Sequence, residues 1–153
     1  MHPIDVDGSV IDMVGCADLK YFNLTGVKIL VQEFHKLILK FPLLEKLIVN
    51  CCVLESISLP SNRLKELQVL HCRFLRVIDI DVPSLLTFSY EFYGNPASTI
   101  NVPNPCSWKV GCSSVCHQSE VLIWLDSVKK FLELPYKIEE LSISIYFQDK
   151  VCL

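Results

Sequence analysis

The chain has 153 residues, of which 51% are hydrophobic and 20% are charged, so it is long enough for one ordinary domain and too apolar to be disordered. Its 14 Lys and Arg residues against 17 Asp and Glu residues give a formal net charge of −3 without a basic block, which argues against nucleic acid or an anionic membrane as a partner. Every apolar run is interrupted before the roughly 18 residues that a membrane-spanning helix needs, so no such helix is expected.

The N-terminal segment 1–18 carries acids and lacks the apolar core of a secretory signal. We therefore expect an intracellular protein, in the cytoplasm or the nucleus, whose eight cysteines are free thiols. Because Ile4, Val10 and other apolar residues recur in this segment, it is interpreted as a partial N-terminal cap.

The most informative feature is an internal repeat with a period of about 20 residues. Segments 44–52 and 64–72 both read LxxLxVxxC, and the segments between repeat as well, since 54–59 matches 75–80. Looser or shorter copies begin at Leu19, Leu85 and Ile138. A period of this length indicates a solenoid in which each turn contributes one short strand to a parallel sheet.

Alternate residues of each strand are expected to face the core, so Leu67 and Val69 point inward and Gln68 points outward. Cys52 and Cys72 follow their strands, and we interpret them as structural thiols that donate weakly to buried carbonyl groups. The short period leaves no room for a helix in the middle turns, whose return paths are predicted to be extended and to end at Pro60 and Pro83.

Two segments show helical spacing instead. The first turn, from Leu19 to Leu44, is longer than those that follow, and its apolar residues between positions 29 and 40, followed by Pro42, predict a helix on the convex side. Segment 119–134 predicts a second helix that has Ser119 as its N-cap and leads to a last strand at 139–145. The apolar stripe of this helix is predicted to comprise Val121, Leu122, Leu125, Val128, Phe131 and Leu132.

Segment 93–118 holds three of the eight prolines and two of the five glycines, which predicts a long irregular insert. Cys106, Cys112, Cys116 and His117 lie in it and offer zinc ligands, but no second pair stands at standard spacing. We interpret these cysteines as exposed loop thiols and expect no metal site. Without a glycine-rich turn or a paired acid, Cys116 and His117 do not predict a nucleophile and base, so we expect no catalytic residue, no cofactor and no enzyme.

The outward positions of the strands form a concave face that a partner protein would contact. Ile48 and Leu70 are apolar residues on adjacent strands of this otherwise polar face and are candidate anchors, although an ordinary solvated face is the alternative. The predicted partner-binding residues are Tyr21, Lys46, Ile48, Glu66, Gln68, Leu70, Ser89 and Glu91.

Segments 41–52, 64–72 and 82–90 resemble the repeats of plant F-box/LRR-repeat proteins, and segment 24–29 resembles the stretch before them. The proline-led repeat with cysteine at its ninth position is unlike receptor-type repeats. In that family the F-box docks onto the Skp-type adaptor of a cullin ubiquitin ligase, and the repeats hold the protein to be ubiquitinated. The resemblance therefore implies the substrate-recognition part of a ubiquitin-ligase adaptor.

An F-box precedes the repeats in that family and is larger than the segment before Leu19, so we expect it to be missing and do not extend adaptor binding to this chain. The alternative is a truncated fragment without ligase coupling, nonfunctional or competing with longer relatives for their targets. The predicted fold is α/β: a short leucine-rich-repeat solenoid with a parallel β-sheet on the concave face and two convex-side helices. It divides into a partial cap (1–18), leucine-rich repeats (19–92), the insert (93–118), and a helix plus terminal repeat strand (119–153).

Overall fold

The computed structural model describes residues 4–5, 15–59 and 63–148. Over these residues there are two helices, α1 (Val31–Leu39) and α2 (Val121–Leu132). The strands are β1 (Ile4–Asp5), β2 (Tyr21–Thr25), β3 (Val27–Lys28), β4 (Lys46–Asn50), β5 (Ser56–Leu59), β6 (Glu66–Leu70), β7 (Val77–Ile80), β8 (Thr87–Tyr93), β9 (Thr99–Asn101), β10 (Ser107–Cys116) and β11 (Ile138–Phe147).

The solenoid is built on two stacked parallel sheets, as the repeat predicts. The larger, which we call the concave sheet, has the order β11-β10-β8-β6-β4-β2, and the smaller has the order β5-β7-β9. Each strand of the smaller sheet lies on the return path of one turn, so the extended conformation predicted for these paths is confirmed. The predicted α/β leucine-rich-repeat solenoid is therefore correct.

The core lies between the two sheets and is built from equivalent residues of successive turns. Leu47, Leu67, Phe88 and Trp108 occupy matching positions on β4, β6, β8 and β10, and all are buried. The rings of Phe88 and Trp108 pack edge to face with centroids 4.7 Å apart. In the first turn, α1 replaces a return strand and buries Phe34 and Leu37, as the helical spacing predicts.

Two cysteines at the ends of β4 and β6 support the turns that follow these strands. The Cys52 thiol donates to the carbonyl oxygen of Leu24 at 3.3 Å, and the Cys72 thiol donates to that of Val49 at 3.5 Å. A hydrogen bond with Cys52 and burial raise the pKa of the Cys72 thiol. The predicted weak hydrogen bonds from these thiols to buried carbonyl groups are confirmed, and each bond joins a thiol to a carbonyl of the preceding turn.

The prediction of an irregular insert at 93–118 is wrong. Strand β8 runs to Tyr93, and β9 joins the smaller sheet. Strand β10 pairs with β8 over residues 107–113 and with β11 over residues 108–116. Backbone pairing on both edges outweighs the weak strand propensity of glycine and serine in this segment. The insert is therefore a further turn of the solenoid.

The second helix is confirmed with most of its predicted apolar stripe, but its start differs from the prediction, and Leu122 is not part of the buried face. Glu120 rather than Ser119 precedes the first helical residue, because a turn in which the Glu120 amide donates to the His117 carbonyl at 2.9 Å sets the entry. Leu122 is 79% exposed, and Trp124 takes the central buried position instead. The Trp124 indole donates to the carbonyl of Gly94 at 2.8 Å, which fixes the rotation of the helix against the sheet.

Part of the predicted N-terminal cap and the predicted strand end at Pro60 lie outside the described residues. Within them, β1 pairs in parallel with β3, so Ile4–Asp5 lies beside the first turn.

Candidate functional site

The outward side chains of the concave sheet stand in rows across neighbouring strands. The middle row comprises Asn23, Ile48, Gln68, Ser89, Lys109 and Glu140. The row on its C-terminal side comprises Thr25, Asn50, Leu70, Glu91, Gly111 and Ser142. This register follows from the repeat, because similar turn lengths bring equivalent residues side by side.

All eight residues predicted to bind a partner lie on this face, on β2, β4, β6 and β8. Tyr21 is exposed, and the other seven are half-buried. The two candidate anchors are less exposed than expected, because Ile48 lies beside Gln68 and Leu70 lies beside Asn50 in the sheet. Their role in binding stays a prediction.

Opposite charges on the face are already paired with one another. The Lys46 ammonium lies 3.0 Å from the Glu66 carboxylate, which also accepts a hydrogen bond from the Gln68 amide at 2.7 Å. Partial burial disfavours the charged form of Glu66, but the bonds from Lys46 and Gln68 outweigh it and hold the pKa of Glu66 below its usual value. Lys46 also lies 5.9 Å from the centroid of the Tyr21 ring. These side chains are therefore held in place before any partner binds.

Strand β10 adds candidate binding residues that the sequence reasoning missed. It places Lys109 beside Ser89, and the Lys109 ammonium lies 3.2 Å from the Glu140 carboxylate of β11. The period of the repeat could have revealed this strand, because Trp108 follows Phe88 by one period. The concave face is therefore one strand wider than predicted.

Gly111 opens a hollow of about 240 Å³ in the floor of the concave face. A Cβ atom at Gly111 would lie 2.8 Å from the Glu91 Cγ atom, so the Glu91 side chain lies across the backbone of β10. The Glu91 carboxylate is 3.0 Å from Nε2 of His71. Leu70 and Lys109 are among the other residues that line the hollow, so it offers an apolar wall together with both signs of charge.

The residues considered as zinc ligands do not form a centre. Cys112 and Cys116 are buried core residues of β10 rather than exposed loop thiols, because their side chains alternate inward along the strand. Burial raises the pKa of the Cys112 thiol to about 11, and the Cys116 thiol donates to the Ser114 hydroxyl at 3.2 Å. Among the described residues, no group of three or more His, Cys, Asp and Glu side chains is arranged to hold a metal ion.

Neither helix that the structure describes combines the length and the apolar character needed to cross a bilayer. A family model described as At1g61320/AtMIF1, LRR domain, matches residues 9–148. No curated protein matches the chain, and no solved structure matches it.

Proposed function

Because the chain belongs to the family described as At1g61320/AtMIF1, LRR domain, we propose that it is a non-enzymatic module that binds another protein through the concave sheet. The observation that carries this proposal is the alignment of outward side chains across six parallel strands. Such a surface is continuous and rigid, which suits recognition of a folded partner.

The centre of the face combines apolar and polar contacts in the way that protein interfaces do. Ile48 and Leu70 supply apolar area. Two ion pairs lie on the same face, Lys46–Glu66 and Lys109–Glu140, with nitrogen–oxygen distances of 3.0 and 3.2 Å. Pairing before binding reduces the side-chain entropy lost when a partner docks. The alternation of charge favours a partner with both acidic and basic residues, and it gives no continuous basic track for nucleic acid among the described residues.

The proposal assigns no catalytic residue and no cofactor to the chain. Burial of Cys112 and Cys116 supports this, because a thiol nucleophile must be ionised and must reach its substrate. We place the protein in the cytoplasm or the nucleus, where cysteines remain reduced.

We further propose that the face is the substrate-recognition part of an F-box/LRR ubiquitin-ligase adaptor. The proline-led repeats with their cysteine at the ninth position support this finer assignment. Fusing an F-box to the chain separates this assignment from its alternative, because in that family the F-box binds the adaptor and the repeats bind the target. Ubiquitination of a bound target by the fusion would support substrate recognition, whereas target binding without ubiquitination would support a competitive regulator.

Photo-crosslinking tests the binding face directly. A photoreactive amino acid replaces Gln68 on the concave sheet in one variant and Ser58 on the smaller sheet in the matched control. We expect one cellular protein to be captured from position 68 and lost when Ile48→Asp is added, whereas Ser58→Asp leaves the capture unchanged. Equal capture from both faces, or capture from position 58 alone, would refute the proposal.

A further inference from the structure

One turn of the solenoid contains an extra residue whose position is fixed by the register. Val53 bridges Arg73, and Ser56 on β5 pairs with Val77 on β7. Val53 and Arg73 are 20 residues apart in the sequence, whereas Ser56 and Val77 are 21 residues apart. The extra residue therefore lies between Arg73 and Val77. A residue inserted there has no counterpart in the preceding turn, so the repeat itself does not dictate its identity.

The extra residue is Phe74. Leu54 and Leu75 are both buried, so Leu75 fills the core position of Leu54 and leaves Phe74 outside the core. Phe74 has a φ of +63° and its side chain is 72% exposed. A left-handed backbone is unfavourable for a bulky residue, and an exposed ring gains no burial in return. Packing within the chain therefore does not account for a phenylalanine at this position.

The Phe74 ring borders a groove of about 640 Å³ at the C-terminal ends of the central concave strands. Cys51 and His71 lie at the turns after β4 and β6, both with positive φ, and each donates its amide to a carbonyl of the next strand. Val53 lines the groove, and Tyr93 supplies a second aromatic ring that is 57% exposed. The groove thus presents two exposed rings beside an apolar residue.

The charge of the groove is of one sign. Arg73 lines it and is exposed, and its side chain forms no ion pair within the part of the chain that the structure describes. None of the lining residues is acidic. The Glu91 carboxylate of the adjacent strand faces the concave hollow and already pairs with His71 at 3.0 Å. An anionic group entering the groove would therefore meet the Arg73 guanidinium, which no acidic residue of the described lining opposes.

We propose that this groove binds an extended segment of a partner protein in which an aromatic or branched apolar side chain lies next to a carboxylate. The apolar side chain packs between Phe74 and Tyr93, and the carboxylate pairs with Arg73. The groove adds a second contact surface to the proposed protein-binding function, on which it depends. Arg73 is the only Lys or Arg that lines the groove in the described part of the chain, so it suits one carboxylate rather than the row of phosphates of a nucleic acid.

Two fluorescein-labelled peptide pools test the groove by fluorescence anisotropy with the full chain. Both pools carry a central Leu-Phe pair, flanked by aspartates in one and by lysines in the other. The acidic pool should bind, and Phe74→Asn and Arg73→Gln should each weaken binding by about tenfold. Phe74→Asn should melt at the same temperature or higher, because asparagine tolerates the left-handed backbone. Tyr146→Asn and Lys129→Gln remove an exposed ring and an exposed cation outside the groove and should change nothing.

Equal binding of the two pools, wild-type affinity in both groove variants, or displacement of the peptide by a single-stranded oligonucleotide would overturn the inference. Failure of the acidic pool to bind would overturn it as well. If the partner crosslinked from position 68 is still captured in that case, the proposed function stands and the groove alone is wrong. If that capture fails too, both proposals fall.

Discussion

Replacing Leu67 by alanine measures how strongly the repeat stabilises the solenoid. Leu67 on β6 is 0% exposed and lies between Leu47 of β4 and Phe88 of β8. Removing three buried carbon atoms costs about 0.8 kcal/mol each, or about 2.4 kcal/mol in transfer free energy. Leu47 and Phe88 are held by their own strands and cannot close the cavity, which raises the total loss to about 3–4 kcal/mol.

Urea unfolding followed by circular dichroism measures this loss as a shift of the midpoint at constant slope. The melting temperature should fall by roughly 6–16 °C, since each kcal/mol shifts it by about 2–4 °C in a chain of this size. Gln68→Ala is the matched control on the opposite face, where it removes one hydrogen bond of 2.7 Å to Glu66 and should cost about 1 kcal/mol. Equal destabilisation by the two variants would refute the assignment of inward and outward residues.

Burial raises the pKa of Tyr90 to about 12 from its ordinary value of 10.0, so the tyrosine ionises more readily in the unfolded chain. The stability that Tyr90 contributes is thus complete below pH 10 and is lost as the pH rises towards 12. The free energy of unfolding, measured with urea at pH 9 and pH 11, should therefore fall less between these two values in Tyr90→Phe than in the wild type. Gly111→Ala places a Cβ atom 2.8 Å from the Glu91 Cγ atom. This substitution should lower the free energy of unfolding by up to about 1 kcal/mol, because it displaces the flexible Glu91 side chain from His71. In a double-mutant cycle, Gly111→Ala should have no effect when Glu91→Ala is already present. Elemental analysis of protein purified under reducing conditions should find less than one zinc ion per chain.

Each of these expectations has a contrary outcome. A Tyr90→Phe variant with unchanged dependence on alkaline pH would show that another group is responsible. A Gly111→Ala loss that persists without the Glu91 side chain would place the clash elsewhere. One zinc ion per chain that is lost on Cys112→Ser would overturn the interpretation of the cysteines in β10.

The central turns were predictable because their cores use leucine and valine at regular spacing. Leu47 and Leu67 differ by one period, and both occupy the predicted inward positions. The thiols of Cys52 and Cys72 were predictable for the same reason, since a small weak donor after each strand satisfies a carbonyl of the adjacent turn. In these turns local pattern and tertiary packing agree.

Strand β10 was missed because aromatic and small residues replace the leucines there. Trp108 fills the place of Phe88, and Cys112 and Ser114 continue the inward row, so the composition resembles that of a loop although the period continues. A strand between two others gains its hydrogen bonds from its neighbours and needs little propensity of its own. Without this strand the prediction lacked Lys109 and Gly111, which complete the concave hollow.

The buried face of α2 was predicted correctly except that Leu122 was assigned to it and Trp124 was left out. Leu122 and Ile123 are exposed, whereas Trp124, Val128 and Phe131 form the buried stripe. Helical spacing alone does not determine which of two overlapping apolar faces of a helix is buried. The choice is made by tertiary contacts, namely the indole bond to Gly94 and the packing of Phe131 against Tyr90 with ring centroids 5.9 Å apart.

The repeat also indicates where function should be sought in a protein of this kind. At inward positions the residue type follows from packing, so a leucine at position 67 carries no information about a partner. Residues that depart from the repeat in ways that the core does not require carry more information about a partner. Gly111 removes a side chain where the other central strands keep one, and Phe74 adds a ring where the previous turn has no residue. The first deepens the concave face and the second borders its edge groove, so both departures shape surface that a partner can contact.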